Sequence, residues 1–227
     1  MGESAPKASG HRSVSKRCRG MLRRAIAASL LLVACDVAED RNGQRMEAAS
    51  GPVPDSIRRE LIAMGEQDQE PRQNLTPETM QDSTVRTRLL SGDSARTERL
   101  REIIEKHGWP DSARVGAEAA GAAFLVLQHS PMHEFQREML PVIEDLASRG
   151  ALPRENAALL IDRVLVHQGL PQRYGTQFSL EGGRLVLDPV EDEDRLEERR
   201  EAMGLPTMAV YMKVMEDLYG TPVVRRP

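Results

Sequence analysis

The chain has 227 residues, with 31 Lys and Arg against 35 Asp and Glu and aromatic residues at only 3%. Its two cysteines, Cys18 and Cys35, both lie near the N-terminus, which excludes a disulfide framework, a thiol enzyme and a cysteine metal site in the body of the chain. An acidic balance disfavours nucleic acid as a partner, and a core so poor in aromatics must be built from Leu, Ile, Val, Ala and Met.

Arg23 and Arg24 precede an apolar run from Ala25 to Ala34 that closes on Leu32-Val33-Ala34-Cys35. A basic flank and a ten-residue apolar stretch ending in a small residue have the layout of a secretory signal, too short to span a bilayer. The LVAC ending resembles the lipobox of bacterial lipoproteins, which implies cleavage before Cys35 and acylation of its side chain. The structural alternative is an N-terminal buried helix with an incidental cysteine. Met21 is a possible true start, since MLRRAIAASLLLVAC already holds the whole layout, and residues 1–20 then carry no fold information. Processing at Cys35 leaves 24 basic against 34 acidic residues, a net charge of about −10 with His neutral. A domain so acidic must owe its membrane attachment to acyl chains, in the cell envelope, facing the periplasm or the exterior.

Residues 36–54 are polar and rich in Ala, Gly, Ser and Glu, the composition of a flexible tether. A single helical domain is expected over 55–221. Asp55 could cap a first helix with Ile57, Leu61 and Met64 on its stripe. Gln69 to Ser91, with Pro71 and Pro77 and few apolar residues, reads as a long loop. Asp93 or Ser94 starts a second helix with Leu100, Ile103 and Ile104, stopped by Gly108 and Pro110. Asp111 or Ser112 caps a third, through Gln128, whose small and apolar residues suit a central position. Pro131 begins a fourth to Ser148, in which Pro141 predicts a kink. Pro153 opens a fifth, ending at Gly169. The period then changes: Arg173 to Leu180 and Arg184 to Leu187, around Glu181-Gly182-Gly183, read as a β-hairpin. Helices over Glu193 to Met203 and Thr207 to Tyr219 finish a compact, mainly α multi-helix domain with one small hairpin. Met203, Met208, Met212 and Met215 recur at helical spacing as core fillers.

Polar residues on core-facing positions are the most useful functional signals. Asp162 shares a helix face with Ala158, Leu159, Leu165 and Val166, so its carboxylate needs donors or a cation, or its pKa rises. Arg163 is hemmed by Leu159, Leu160 and Val166. Asp68 continues the first stripe and His107 the second; Gln128 and His129 end the third helix, and Arg200 lies with Leu196 and Met203. His129 and His133, with Glu134 and His167, suggest a metal group. Pro131 interrupts their spacing, however, and HEFQR is not HExxH, so no metal and no cofactor is expected. Neither GxSxG, a phosphate loop nor GxGxxG occurs.

The strings DQEPR (68–72), GWP (108–110), QH (128–129), DR (162–163), QRYGTQF (172–178), RR (199–200) and GL (204–205), in this order, resemble the bacterial domain of unknown function 6624 family, from about Leu61 to Tyr211. The resemblance implies no established activity or cofactor. It does mark Asp68, Gln69, Arg72, Trp109, Gln128, His129, Asp162, Arg163, Gln172, Tyr174, Thr176, Gln177, Arg199 and Arg200 as the shared polar spine, and leaves out His107, His133 and His167.

The reading that follows is a lipid-anchored envelope protein, attached through Cys35. Its Gln128, Arg163, Gln172, Tyr174, Thr176, Gln177, Arg199 and Arg200 would line a polar cleft for a peptide, glycan or cell-wall fragment. One alternative is a hydrolase with His129 as general base and Asp162 orienting it or acting as acid. Another is an interaction protein whose buried polar network only holds the fold.

Overall fold

Helices dominate the residues that the computed structural model describes, 52–73 and 75–226. The signal-like segment, Met21, Cys18, Cys35 and the tether residues 36–51 lie outside them. Helix α1 (Asp55–Gln69) buries Leu61, Met64, Gly65 and Asp68. Pro54, not Asp55, holds the capping position, so Asp55 acts from inside the first turn, where its charge complements the helix dipole and meets Arg59.

The segment expected as a loop from Gln69 to Ser91 is largely helical. After a 3₁₀ turn over Glu70–Arg72 come α2 (Pro77–Gln81) and the start of α3 (Ser83–His107). Thr76 caps α2 through the Thr79 N–H, and Asp82 caps α3 through the Thr84 N–H at 2.7 Å. No core-facing periodicity announces these turns because residues 81–92 bury none of their side chains. Asp93, expected as a cap, instead lies buried within α3.

The expected third helix is two: α4 (Ser112–Val115), capped by Asp111, and α5 (Ala117–Gln128). Gly116, at φ 78°, breaks the run in a conformation that side chains disfavour. Helix α6 (His133–Ser148) starts after Pro131 and continues through Pro141, and α7 (Arg154–His167) follows Pro153. Strands β1 (Phe178–Glu181) and β2 (Arg184–Leu187) form the hairpin, shorter at its start than expected. Helices α8 (Leu196–Ala202) and α9 (Met208–Tyr219) follow, and β3 (Val223–Arg225) adds in parallel to β2. This strand, beyond the boundary expected at 221, is too short to show a two-residue period.

Small residues set how the helices meet. A Cβ placed on Gly65 would fall 2.7 Å from the Ala122 Cβ, so α1 and α5 approach closely. Arg58 faces Gly116, Gly65 faces Ala122 and Asp68 reaches His129, in the same order along both helices. The two therefore run parallel and bring their C-terminal ends together. Their apolar faces join those of α3, α6 and α7 in one core that includes Leu100, Ile103, Leu127, Ile143 and Leu160, with Met203 packed on its edge. A second, smaller core of Leu187, Leu196 and Met208, with Phe178, Tyr211 and Met212 against it, joins the sheet to α8 and α9.

Candidate functional site

The polar spine divides into two networks. The first sits where α1 and α5 end. Asp68, whose side chain is 1% exposed, holds His129 Nδ1 at 2.7 Å through Oδ2 and accepts from Gln69 Nε2 at 2.8 Å. Its Oδ1 lies 3.1 Å from Arg72, and Arg96 stands 3.8 Å away. Arg72 and Arg96 also grip the two oxygens of Asp93, at 2.7 and 2.6 Å. Two carboxylates and two guanidinium groups thus close on one another with little exposure.

The electrostatics of this group assign its protons. Burial pushes Asp68 up, but His129, Arg72 and Gln69 together hold its carboxyl below the ordinary value. Burial lowers His129 and overrides the opposite pull of Asp68, while the charges of Arg72 and Arg163 lower it further. An ionised Asp68 can only accept, so the neutral His129 ring donates through Nδ1–H and keeps its lone pair on Nε2. With 23% of its side chain exposed, His129 is buried enough to be fixed and open enough to meet another molecule.

The second network holds the chain from Gln172 to Gln177. Asp162 Oδ1 accepts from the backbone N–H groups of Arg173 at 2.7 Å and Tyr174 at 3.0 Å. Its Oδ2 accepts from the Thr176 N–H and hydroxyl, both at 2.9 Å. Burial pushes Asp162 up, and these donors pull it back. Gln172 acts as a peptide surrogate: its Oε1 accepts from the Gln177 N–H, and its Nε2 donates to the carbonyls of Gln177 and Asp188. Arg200, with no exposed surface, donates to the carbonyls of Pro206 and Tyr174 and stacks over the Tyr211 ring at 4.9 Å. Arg199 donates to the Arg173, Asp192 and Glu191 carbonyls. Gln177 Nε2 reaches the Thr176 hydroxyl, and Tyr211 donates to the Thr176 carbonyl. Gly175, at φ 66° under the Met208 sulfur, completes the corner.

The expected pairing of His129 with Asp162 is therefore not what the fold builds. Asp162 faces the 172–177 corner because four donors from that segment converge on it, and His129 turns to Asp68. Gln172, Thr176, Gln177, Arg199 and Arg200 direct polar atoms at this corner rather than at His129, and Tyr174 packs against the main core.

Gln128 and Arg163 do stand with His129. Gln128 Nε2 contacts the Leu159 carbonyl, one turn before Arg163 on α7, while its Oε1 is buried without a partner. Arg163 has no ion pair among the described residues, and its Nε is buried unpaired. One turn on, His167 stacks on His133 with ring centroids 3.5 Å apart. Among the described residues, no group of three or more His, Cys, Asp or Glu is placed to hold a metal ion. Asp93 and Arg96 were not foreseen. Their signal was an acid–base pair at i,i+3 on α3, masked by reading Asp93 as a cap.

A family model described as a family of unknown function, DUF6624, matches residues 54–224, and the chain belongs to that family. No curated protein and no solved structure matches.

Proposed function

We propose that this member of the DUF6624 family binds a small polar ligand at the junction of α1, α5 and α7, with His129 at the point of contact. The carrying observation is the buried Asp68 bonded to Nδ1 of a partly exposed His129, whose pKa burial lowers. A buried acid that fixes an imidazole tautomer positions it to accept a hydrogen bond or proton through Nε2. Gln128 and Arg163 supply further polar groups beside it. The 172–177 corner belongs to the frame of the site.

Anchorage at Cys35 and an envelope location are part of the same proposal, supported by the order of basic flank, apolar run and lipobox-like ending. On that location the ligand is drawn from peptides, glycans or cell-wall fragments. The tautomer also favours a second reading, a hydrolase in which Asp68 orients His129 as general base toward water; Asp68 takes the role first given to Asp162.

A thermal-shift and calorimetric screen of peptides, sugars and cell-wall fragments tests the reading, comparing the wild-type chain with His129→Gln. A ligand that binds the first and loses at least about tenfold in affinity for the second supports it. Ligands indifferent to His129, or none at all, count against it. Release of a product from such a ligand by the wild type alone supports the hydrolase.

A further inference from the structure

Among the described residues, three arginines gather around the His129 junction against two carboxylates. Asp93 gives one oxygen to Arg72 and the other to Arg96, and Asp68 faces Arg72, Arg96 and His129. Arg163 stands outside this closed set, with no hydrogen bond or ion pair among the described residues and its Nε buried. A guanidinium whose Nε is buried without a hydrogen-bond partner is ordinarily paired or bound to an anion.

The groups around Arg163 fit an anion better than a neutral ligand. Arg72, Asp93 and the phenols of Tyr211 and Tyr219 lie within electrostatic range of it. Burial raises both phenols, Tyr211 to about 12, so their hydroxyls remain protonated donors. Tyr211 already donates to the Thr176 carbonyl, whereas the Tyr219 hydroxyl has no partner among the described residues. A planar guanidinium suits two oxygens of a carboxylate or phosphate at once.

We infer that the ligand carries a compact oxyanion, a carboxylate or a phosphate, received by Arg163 beside His129. This rests on the junction being the binding site and names the chemical class it takes. A net positive site in an acidic chain also separates this ligand from the bulk charge of the surface, so selection depends on the local group.

The test uses inorganic phosphate, acetate and succinate, with chloride at matched ionic strength, on the full chain. Binding is followed by thermal shift and by the imidazole resonances of His129. At least one oxyanion is expected to stabilise the wild type and move those resonances. Arg163→Met should raise the melting temperature of the free protein, because an uncompensated cation is removed, while reducing oxyanion affinity about tenfold or more. Arg163→Lys, which keeps the charge but not the planar fork, should fall between. Equal oxyanion binding by wild type and Arg163→Met overturns the inference, as does a melting temperature lowered in both variants with no oxyanion response in the wild type. His129-dependent binding of a neutral ligand that ignores Arg163 also overturns it, while leaving the binding site itself intact. Loss of any His129-dependent ligand would instead remove the site.

Discussion

Asp68 and His129 are 61 residues apart in the chain and 2.7 Å apart in the fold. The contact exists because α1 and α5 run parallel and end together, each delivering one polar residue just past its apolar stripe. It decides which nitrogen of His129 is available, and it separates this histidine from the exposed, stacked His133 and His167.

Asp68→Asn should move the His129 titration to lower pH, because the acid is what opposes the burial that already depresses it. Stability should fall by about 3 kcal/mol, since Arg72 and Arg96 lose one of two buried counter-ions. Nitrogen-detected NMR of the imidazole and urea unfolding measure the two effects. An unmoved titration would show that the contact does not govern the ring.

Asp162→Ala removes the acceptor for three backbone N–H groups and one hydroxyl at a site with no exposed surface. A loss of about 3–5 kcal/mol is expected. Amide exchange should accelerate at Arg173, Tyr174 and Thr176 first. The His129 titration should hardly change; a large shift there would restore the pairing of His129 with Asp162.

Gly65→Ala gains up to about 1 kcal/mol in helix propensity, but its new methyl collides with Ala122 at 2.7 Å. Overpacking of this kind costs about 1–3 kcal/mol, so a net loss is expected in equilibrium unfolding. Because the same approach sets the reach from Asp68 to His129, the imidazole resonances should shift as well. A stabilised variant with unchanged resonances would mean that the two helices separate freely.

Desolvation, the stacked His133 ring and the Arg163 charge lower His167 to about 4. A histidine depressed in the folded state contributes stability that is full above its unfolded value near 6.5, and this is lost as pH falls toward 4. Melting temperature measured across this window should decline in the wild type, and His167→Gln should flatten the decline. An identical slope in both proteins would assign the acid sensitivity elsewhere.

Cys35→Ser should abolish labelling by a fatty-acid analogue and leave the precursor uncut at that position. Detergent-phase partitioning and the mass of the mature N-terminus report both. Unchanged labelling would overturn the proposed envelope location.

The sequence by itself determined the fold class, because apolar stripes at 3.6-residue spacing, proline starts and glycine stops act locally and are written in the order of the chain. It also marked Asp68, Gln128, His129, Asp162 and Arg163 as unusual, since a polar residue on an apolar stripe must be satisfied somewhere. What satisfies each one was decided by tertiary structure. Four donors of one corner converge on Asp162, a fold-back that no spacing encodes, while a close helix approach through Gly65 delivers Asp68 to His129. The early turns of α3 and the strand β3 escaped notice for a related reason: exposed turns held by caps, and a three-residue strand held by its neighbour, carry no periodic signal of their own. Only the assembled fold shows that Arg163 makes no ion pair among the described residues, because a missing partner is a property of everything around a residue.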